Sequence, residues 1–434
     1  MSPTLVGLLG LAGLFALIFL RVPVGIALAV SGMAGYTALA GLDTTLAVLG
    51  SVPFEIGYNY DFSIIALFVL MGNFALSSGM SRDLYAMARS LVGHWRGGLA
   101  SATIVGCAGF AAVSGSSLAA AVTMGRVALP EMRRYKYDPR LATGSVAAGG
   151  TLGILIPPST GFIVYALLTE ESIGQLFLAG VLPGLLLTGL FMVTIALLTW
   201  RNPEIGPAGP RESWAARARA VWGSSTLLGI VFVVLGGIYM GVFTPVEAAA
   251  IGAGLTIALT AVRGRMTWAV LRECTLETIK TFAMVYLILI GAFLFNPFLA
   301  LTHIPNDLTA YVGNLDLQPV YILILFMVGV MVLGTFLEGF AIMVLTVPIV
   351  FPLFLGMGYD MVWFGVVLVV VLEMGLISPP LGLNVFVVKG ISKDVPMGDI
   401  FRGILPFWAA MVVCAALLIA FPQIALVLPN TMIR

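Results

Sequence analysis

Two Pro-Pro dipeptides interrupt apolar stretches of this 434-residue chain within similar motifs. Pro157-Pro158 lies in Gly-Ile-Leu-Ile-Pro-Pro-Ser (153–159), and Pro379-Pro380 lies 222 positions later in Gly-Leu-Ile-Ser-Pro-Pro-Leu-Gly (375–382). Proline lacks the backbone N–H, and its ring collides with the preceding helical turn, so a helix cannot continue undisturbed through either dipeptide. The sequence therefore predicts two broken helices at equivalent places.

The composition is that of a membrane protein. Charged residues make up 9% of the chain and hydrophobic residues 60%, whereas a soluble domain carries about 25% charged residues. We predict an all-α chain that crosses the bilayer many times, because helices satisfy their own backbone groups in lipid. Segment 3–20 has no basic residue before it and is interpreted as a retained helix. The scattered Cys107, Cys274 and Cys414 predict neither a disulfide framework nor a metal site.

An internal repeat runs through the chain with an offset of 222 positions. The offset aligns Tyr137-Asp138 with Tyr359-Asp360, as well as the two Pro-Pro dipeptides. Self-similarity at a fixed spacing indicates duplication. The predicted organisation is repeat one at 1–199, a cytoplasmic linker at 200–220 and repeat two at 221–434.

The basic residues occupy opposite places in the two repeats. Residues 131–140 contain four lysines and arginines, and the equivalent segment around Tyr359 contains none. Residues 41–61 carry only acidic charges, whereas their counterparts at 263–280 include four bases. Because Lys and Arg concentrate in cytoplasmic loops, we predict repeats that are inverted in the membrane, with both termini outside.

Two segments are predicted to be re-entrant hairpins, which enter and leave the membrane on one side. Segment 98–129 lies between basic loops, is too long for one crossing and too short for two, and breaks at 114–117. Its counterpart at 318–357 breaks at Gly334-Thr335. The broken helices are expected at 141–168 and 361–388. The ten predicted spans are 3–20, 22–41, 61–80, 141–168, 173–199, 221–241, 244–262, 282–302, 361–388 and 403–428.

Two further segments combine basic and apolar residues at helical spacing, at 82–97 and 264–280. This pattern predicts amphipathic helices that lie in the cytoplasmic interface. Short solvated loops with long basic side chains are the alternative.

Helix lengths bring each hairpin tip to the depth of one Pro-Pro break. About 16 residues, or about 24 Å of helix, lead from the cytoplasmic end of the first hairpin to Ser114, and a similar count leads to Ile156. The same reasoning places Gly334-Thr335 level with Ser378. Hydroxyls and unwound carbonyls without His or Cys predict a site for a hard cation, with Na⁺ favoured over a transition metal. Alternatively, these hydroxyls serve packing or bond back to their own helices.

Polar and ionisable residues within apolar stretches are candidates for function. We expect Glu247 to pair structurally, with a helix N-terminus or with an arginine. Glu338 and Glu373 are expected either to bind a cation or proton or to pair in the same structural way. Ser159, Glu338 and Asn384 lie close to the breaks and are candidates for contact with a substrate.

Several enzyme classes are excluded by what the sequence lacks. It contains no Gly-x-x-x-x-Gly-Lys-Ser/Thr phosphate loop. Its two histidines, His94 and His303, are predicted on opposite sides of the membrane, so they cannot share a zinc or serine site. The chain is therefore predicted not to be an enzyme.

Five stretches, spread over nearly the whole chain, resemble the large membrane subunit of tripartite ATP-independent periplasmic (TRAP) transporters. Taken together they are specific, although each one is weak alone. The matching stretches are Phe-Ala-Leu-Ser-Ser-Gly-Met-Ser at 74–81, Ser-Gly-Ser-Ser-Leu-Ala at 114–119, the break at 153–159, Phe-Thr-Pro-Val-Glu-Ala-Ala at 243–249 and the break at 375–380.

This resemblance implies an elevator-type, Na⁺-coupled importer of organic acids such as dicarboxylates in the bacterial inner membrane. A periplasmic substrate-binding protein and a small membrane subunit on a separate chain are the expected partners. The resemblance also implies two Na⁺ sites where tips meet breaks. The expected ligands are Ser114, Ser116, Ser117, Gly153 and Pro157 at the first site, and Gly334, Thr335, Gly375, Ser378 and Pro379 at the second.

The two implied cation sites are not identical in sequence, because the 222-residue offset sets Glu338 opposite Ser116. Two other functions stay open at this point. One is a stand-alone symporter of anions with Na⁺ or H⁺ that needs no binding protein, and the other is a membrane scaffold subunit that transports nothing. The sequence names neither the substrate nor the ion stoichiometry.

Overall fold

Helices make up all the regular secondary structure in the part of the chain that the computed structural model describes, residues 2–314 and 317–432. The predicted all-α fold is therefore confirmed. The helices of the first half are α1 (Pro3–Phe19), α2 (Val24–Ala40), α3 (Leu42–Tyr58), α4 (Ser63–Ser77), α5 (Met80–Val92), α6 (Gly98–Ser114), α7 (Ser117–Arg134), α8 (Pro139–Leu155), α9 (Thr160–Thr169) and α10 (Ile173–Arg201).

The hairpin and broken-helix elements recur in the second half, where one 34-residue helix corresponds to α3 and α4 together. Its helices are α11 (Trp214–Tyr239), α12 (Pro245–Val262), α13 (Trp268–Leu301), α14 (Ile304–Gly313), α15 (Pro319–Gly334), α16 (Gly339–Gly356), α17 (Met361–Ile377), α18 (Leu383–Ile391), α19 (Met397–Ala420) and α20 (Gln423–Asn430). Helices α7 and α16 begin and end 222 positions apart, and so do α8 and α17. These matched bounds support the predicted duplication, while the inverted orientation in the membrane stays a prediction.

The chain breaks where the sequence predicts breaks. Helix α6 gives way to α7 through Gly115, whose φ of +57° is a left-handed conformation that glycine adopts without steric cost. Helix α15 gives way to α16 through residues 335–338. Both Pro-Pro dipeptides lie between helices, α8 and α9 in the first half and α17 and α18 in the second, and both contain a cis peptide bond.

Two details differ from the predicted elements. The segment expected as a separate amphipathic helix at 264–280 forms one continuous 34-residue helix, α13, with the following span. No Gly or Pro lies between Trp268 and Ile290 to stop it. In the linker expected at 200–220, helix α11 already begins at Trp214, where Ser213 caps its N-terminus.

Eight helical segments of the described residues are long and apolar enough to cross a membrane. They are 60–77, 139–169, 173–201, 214–239, 245–262, 268–301, 339–356 and 397–420. Seven of these coincide with predicted spans, and 339–356 is one arm of the second predicted hairpin. The other predicted spans correspond to apolar helices of 17 residues, α1, α2 and α17.

The helices pack in two groups. In the first group, α2 lies along α13 and α12 lies along α4, and the backbones of Gly25 and Gly291 touch. The second group contains both hairpins and both broken helices, with α6, α7 and α19 packed on α8. Ion pairs join its two halves, Arg133 to Asp394 at 2.6 Å and Arg140 to Asp399 at 2.9 Å. The second group therefore holds both tips and both breaks.

Candidate cation and substrate site

The first hairpin tip lies directly on the first Pro-Pro break. The hydroxyl of Thr160, in the first turn after the break, donates to the carbonyl oxygen of Gly115 at 2.7 Å. A Cβ atom built on Gly115 would lie 2.8 Å from the carbonyl oxygen of Pro158, and one built on Gly153 would collide with the Ser116 carbonyl. The structure thus brings together the tip and the break that the sequence paired.

The three serines of this tip have different environments. The Ser114 hydroxyl is buried without a hydrogen-bond partner among the described residues. Ser116 caps helix α7 by accepting from the N–H of Ala119 at 3.4 Å. The Ser117 hydroxyl donates to the carboxylate of Glu373, on α17 of the other repeat, at 2.7 Å. Ser114 is therefore the serine of this tip whose hydroxyl has neither a donor nor an acceptor partner among the described residues.

At the first Pro-Pro break, one residue faces this hairpin tip and another makes its hydrogen bonds within the break. Pro157 lies within the unwound segment 156–159, and the next carbonyl, that of Pro158, faces Gly115. Ser159 is fully buried, donates to the carbonyl oxygen of Ile154 and caps helix α9 by accepting from Phe162 at 3.3 Å. The Ser159 hydroxyl therefore makes both of its hydrogen bonds with residues on either side of the break and none with the tip.

The second hairpin tip meets the second break through two glycines. A Cβ atom on Gly334 would lie 2.9 Å from the Cα of Gly375, and one on Gly375 would lie 2.7 Å from the Cα of Gly334. The Thr335 hydroxyl, which is buried, donates to the carbonyl oxygen of Val332 at 2.7 Å. A hydroxyl that donates within its own helix keeps its lone pairs for another partner.

Ser378 has a partner that the sequence does not indicate. Its hydroxyl donates to the Met374 carbonyl at 2.6 Å and accepts from the indole N–H of Trp408, on α19, at 3.0 Å. Pro379 follows directly, at the start of the unwound segment. The second site therefore has one free hydroxyl oxygen, Thr335, and one that is already occupied by a donor.

A cavity of about 240 Å³ lies between the first tip and the start of α16, which follows the second tip. The tip residues that line it are Ser114, Ser116, Ser117 and Glu338. Its opposite wall belongs to the first helix group, through Gly72 and Asn73 of α4 and Thr281 of α13. No Lys, Arg or His lines this cavity. The cavity thus lies between the first tip, the start of α16 and the first helix group, whereas Gly334, Thr335, Gly375, Ser378 and Pro379 of the second meeting point are not among its lining residues.

Of the three substrate candidates, the structure brings only Glu338 to this cavity. Glu338 precedes α16 at its N-cap position without capping it, and its carboxylate makes no hydrogen bond or ion pair with another described residue. Asn384 is fully buried in the first turn of α18, and neither polar atom of its side chain has a partner there. Ser159 also lies outside the lining.

The donor chemistry of the two tips suits Na⁺. The side-chain and backbone groups that accept hydrogen bonds at the two meeting points are hydroxyl, carbonyl and carboxylate oxygens. The described residues contain no cluster of three or more His, Cys, Asp or Glu side chains that would hold a transition metal. Oxygen ligands bind hard cations, and the partnerless Ser114 hydroxyl fits such an ion.

A second cavity, of about 430 Å³, is acidic and shares no lining residue with the first. The acidic residues that line it are Glu55, Asp61, Glu170 and Glu171. Partial burial and the neighbouring Asp360 carboxylate raise the pKa of Glu171 above its ordinary value. This cavity offers no unwound helix and is therefore not part of the candidate site.

Glu247 has a structural partner, as the sequence led us to expect. Its carboxylate accepts from the N–H of Thr244 at 2.8 Å, and the Thr244 hydroxyl accepts from the N–H of Glu247 at 3.3 Å. This reciprocal pair is a capping box at the start of α12. The contacts account for Glu247 without a role in ion binding.

Replacing Thr244 with alanine is expected to destabilise the protein by about 0.5–2 kcal/mol without changing its function, because only a helix cap is lost. Thermal unfolding of the purified protein measures the first effect, and the ion dependence of transport measures the second. Thr44→Ala is the control, since the hydroxyl of Thr44 is exposed and bonds back to Ala40. A changed ion dependence in Thr244→Ala alone would contradict the structural role.

Sequence reasoning missed several contacts at the site, among them those of Trp408, Gly72 and Thr160. Trp408 carries no pattern that points to Ser378, because its partner lies in another helix 30 positions away. Gly72 approaches the backbone of Ser114 closely, because a Cβ atom built on Gly72 would lie 3.1 Å from the Ser114 Cα. In the sequence Gly72 is one small residue within an apolar helix, which does not indicate this contact. The contact of Thr160 could have been predicted, because Thr160 carries a hydroxyl group in the first helical turn after the break.

Comparisons with known proteins match nearly the whole chain to one family. The family model described as "Tripartite ATP-independent periplasmic transporter, DctM component" matches residues 11–424. The C4-dicarboxylate TRAP transporter large permease protein DctM of Pseudomonas aeruginosa is 39% identical over 87% of this chain and 88% of that protein. The isethionate TRAP transporter permease protein DctMQ of Oleidesulfovibrio alaskensis is 33% identical over 92% of this chain and 63% of that protein.

A solved structure shares the fold. The crystal structure of the YdaH transporter of Alcanivorax borkumensis superposes with a TM-score of 0.67, covering 88% of this chain and 90% of that chain. Sequence identity between the two is 16%, so this likeness concerns the fold alone.

Proposed function

Because the chain belongs to the family of DctM components of tripartite ATP-independent periplasmic transporters, we propose that it is the permease subunit of a Na⁺-coupled importer of organic acids. The observation that carries this proposal is the pair of half-sites, each with a hairpin tip seated on an unwound helix. Unwound helices at the interface of two repeats are where transporters of this kind bind substrate and coupling ions.

Na⁺ binding is assigned to the two meeting points. At the first, Ser114 supplies a free hydroxyl, and Ser116, Ser117, Gly153 and Pro157 supply backbone around the break. The second meeting point uses the backbone of Gly334, Gly375 and Pro379 with the oxygens of Thr335 and Ser378. An ion bound across both a tip and a break holds the two together, so Na⁺ occupancy stabilises the closed tips.

The cavity between the first tip and the start of α16 is proposed as the substrate site. No basic side chain lines it, so an organic anion depends on other positive charge there. The helices that begin after the breaks, α9 and α18, direct N–H groups and the positive ends of their dipoles toward the breaks. The cation at the first meeting point adds charge beside the same cavity. Anion binding is therefore expected to depend on Na⁺ binding.

Movement of the second helix group against the first is proposed as the elevator step. The cavity lies between these groups, with Gly72 of α4 against Ser114 of the first tip. Small residues at such a contact let the backbones slide past each other without displaced side chains. Because the tips and breaks would move together, the substrate would cross with its binding site intact.

Two partners complete the proposed system, a periplasmic substrate-binding protein and a small membrane subunit. This chain covers 63% of the length of the relative named DctMQ, so that relative contains further sequence outside the match. The two relatives are named for a C4-dicarboxylate and for isethionate, which are both organic anions, and this supports the proposed substrate class. We place the protein in the bacterial inner membrane with both termini on the periplasmic side.

Uptake by proteoliposomes tests this function. Liposomes that contain the permease with its small subunit receive a labelled C4-dicarboxylate, with and without the binding protein and with and without an inward Na⁺ gradient. We expect accumulation only when both are present. Accumulation without the binding protein would favour the stand-alone symporter, and transport driven by pH alone would remove the Na⁺ assignment. If none of a set of related organic anions accumulates when every partner is present, the result would favour a scaffold subunit that transports nothing.

A further inference from the structure

One indole group is hydrogen-bonded to the second Pro-Pro break. Trp408, half-buried near the middle of α19, donates its N–H to the Ser378 hydroxyl oxygen at 3.0 Å. An indole has one polar hydrogen and no acceptor, so this is the single hydrogen bond that the ring can make. Helix α19 is long and apolar enough to cross a membrane, where a donor without an acceptor is costly. The bond therefore holds Trp408 and Ser378 together.

The Ser378 hydroxyl has a limited number of bonds to make, because it carries one hydrogen and two lone pairs. The hydrogen is donated to the Met374 carbonyl at 2.6 Å, and the Trp408 N–H occupies one lone pair. The hydroxyl cannot rotate toward another partner without losing these bonds. One lone pair remains for a ligand, and Trp408 fixes the direction in which it points.

The first break has no equivalent pair. The 222-residue offset sets Ile156 opposite Ser378, and the Ile156 side chain has no hydroxyl. In α10 and α19, where the offset is 223 positions, the exposed Leu185 stands opposite Trp408 and has no donor. The contact from indole to hydroxyl therefore belongs to the second half-site alone, and its loss should affect only one of the two proposed cation sites.

Both partners belong to the second helix group. Ser378 follows α17 directly, and α17 packs on α19, which carries Trp408. In the proposed elevator step this group moves as a unit against the first. The contact thus stays with the second site wherever the group stands.

We propose that Trp408 is a positioning residue for the second cation site, which holds the Ser378 hydroxyl with its free lone pair available to Na⁺. This inference rests on the proposed Na⁺ coupling and extends it to a residue that acts through Ser378 and does not contact the ion. An arriving ion meets a hydroxyl whose direction is already set. Ligands that are ordered in advance bind more tightly, because binding does not have to order them.

Trp408→Phe tests this role, since phenylalanine keeps an apolar ring and removes the N–H donor. In equilibrium binding of ²²Na⁺ to the purified full chain, we expect the affinity for one of the two ions to fall about 2- to 13-fold, as for the loss of one neutral hydrogen bond. The affinity for the other ion should not change. Equal Na⁺ binding by Trp408→Phe and the unaltered protein would overturn this inference, while the proposed function stands.

Trp363→Phe is the matched control. Trp363 lies on α17 and donates its indole N–H to the Leu418 carbonyl of α19 at 2.8 Å, so it joins the same two helices. It precedes Ser378 by 15 residues, or about 22 Å of helix. Trp363→Phe should lower the thermal stability and keep the affinity for both ions. If both variants weaken Na⁺ binding alike, Trp408 is a helix contact only and the inference is wrong.

A double-mutant cycle shows whether Trp408 acts through Ser378. Ser378→Ala removes the hydroxyl that Trp408 holds, so adding Trp408→Phe to it should weaken Na⁺ binding no further. Adding Trp408→Phe to Ser378→Ala would lower the affinity by a further 2- to 13-fold if the two residues acted independently. That additive result would contradict the positioning role.

Nuclear magnetic resonance tests the contact without Na⁺. Each of the seven tryptophans has one indole N–H signal, and the signal that is missing in Trp408→Phe belongs to Trp408. In Na⁺-free protein, Ser378→Ala should shift this signal and leave that of Trp363 in place. An unchanged Trp408 signal would show that the bond does not form, and the inference would fall. Failure of the unaltered protein to bind Na⁺ would instead remove the proposed Na⁺ coupling together with this inference.

Discussion

Replacing Gly153 with alanine is expected to weaken the Na⁺ dependence of uptake severely. Helix α8 passes so close to the first tip that an added methyl group would lie 2.6 Å from the carbonyl carbon of Ser116 and 2.7 Å from the Cα of Ser117. Both are backbone atoms, which cannot rotate away as the end of a side chain can. The tip must therefore move off the break, and the proposed ligands separate.

The size of this effect follows from overpacking. Forcing extra volume into a close-packed contact costs about 1–3 kcal/mol. If that cost falls on the closed tip, the half-saturating Na⁺ concentration should rise about 5–150-fold. Gly189→Ala is the control, because a methyl group there, on α10, would meet no atom of the described chain within 4 Å beyond its own helix backbone. An unchanged Na⁺ response in Gly153→Ala would contradict the first site.

Replacing Gly334 with alanine is expected to have a similar effect through the second site. The added methyl group would lie 2.9 Å from the Cα of Gly375, and the glycine on the other side cannot yield. Since α15 and α17 then separate, Thr335 moves away from the second break. The half-saturating Na⁺ concentration should again rise about 5–150-fold at the cost of an overpacked contact.

The second site offers a control on the same helix. Gly329 lies five residues before Gly334 on α15, and a Cβ atom built there meets nothing else described within 4 Å. Gly329→Ala should keep the Na⁺ response, and thermal unfolding of both variants shows whether either has lost its fold. Equal Na⁺ responses in Gly334→Ala and Gly329→Ala would show that the close contact has no part in ion binding.

Local chemistry allowed the breaks of this fold to be predicted. Pro157-Pro158 and Pro379-Pro380 stop helices by removing N–H donors, and the structure ends α8 and α17 there. Gly115 marks the first tip, since it adopts a positive φ. The pairing of each tip with a break followed from helix rise alone. These features depend on residues that are close in sequence, so the sequence is enough to reveal them.

Contacts between the repeats could not be predicted in the same way. The bond from Ser117 to Glu373 joins residues 256 positions apart, and neither motif contains a sign of the other. The bond from Trp408 to Ser378 depends on how α19 rotates against the break, which hydrophobic periodicity leaves open in a helix that is apolar on most sides. Side-chain partners across helices are set by packing, and only the structure reveals them.

Helix continuity also depends on more than charge pattern. The bases at 263–280 predicted an interfacial helix that ends before the next span. Instead α13 continues through Lys280 into the apolar segment, because nothing in that stretch interrupts its backbone hydrogen bonds. The equivalent region of repeat one is divided between α3 and α4. The two halves thus differ where only one of them contains a break.

Equilibrium binding of radioactive ²²Na⁺ to the purified protein tests the two half-sites most directly. We expect saturable binding of two ions per chain, with binding lost or weakened in Gly153→Ala and Gly334→Ala and kept in Gly189→Ala and Gly329→Ala. Each of the first two variants should reduce the tight binding by one ion if the sites fill independently. Absence of saturable binding, or binding that is equal in all four variants, would contradict the assignment of Na⁺ to the hairpin tips and Pro-Pro breaks.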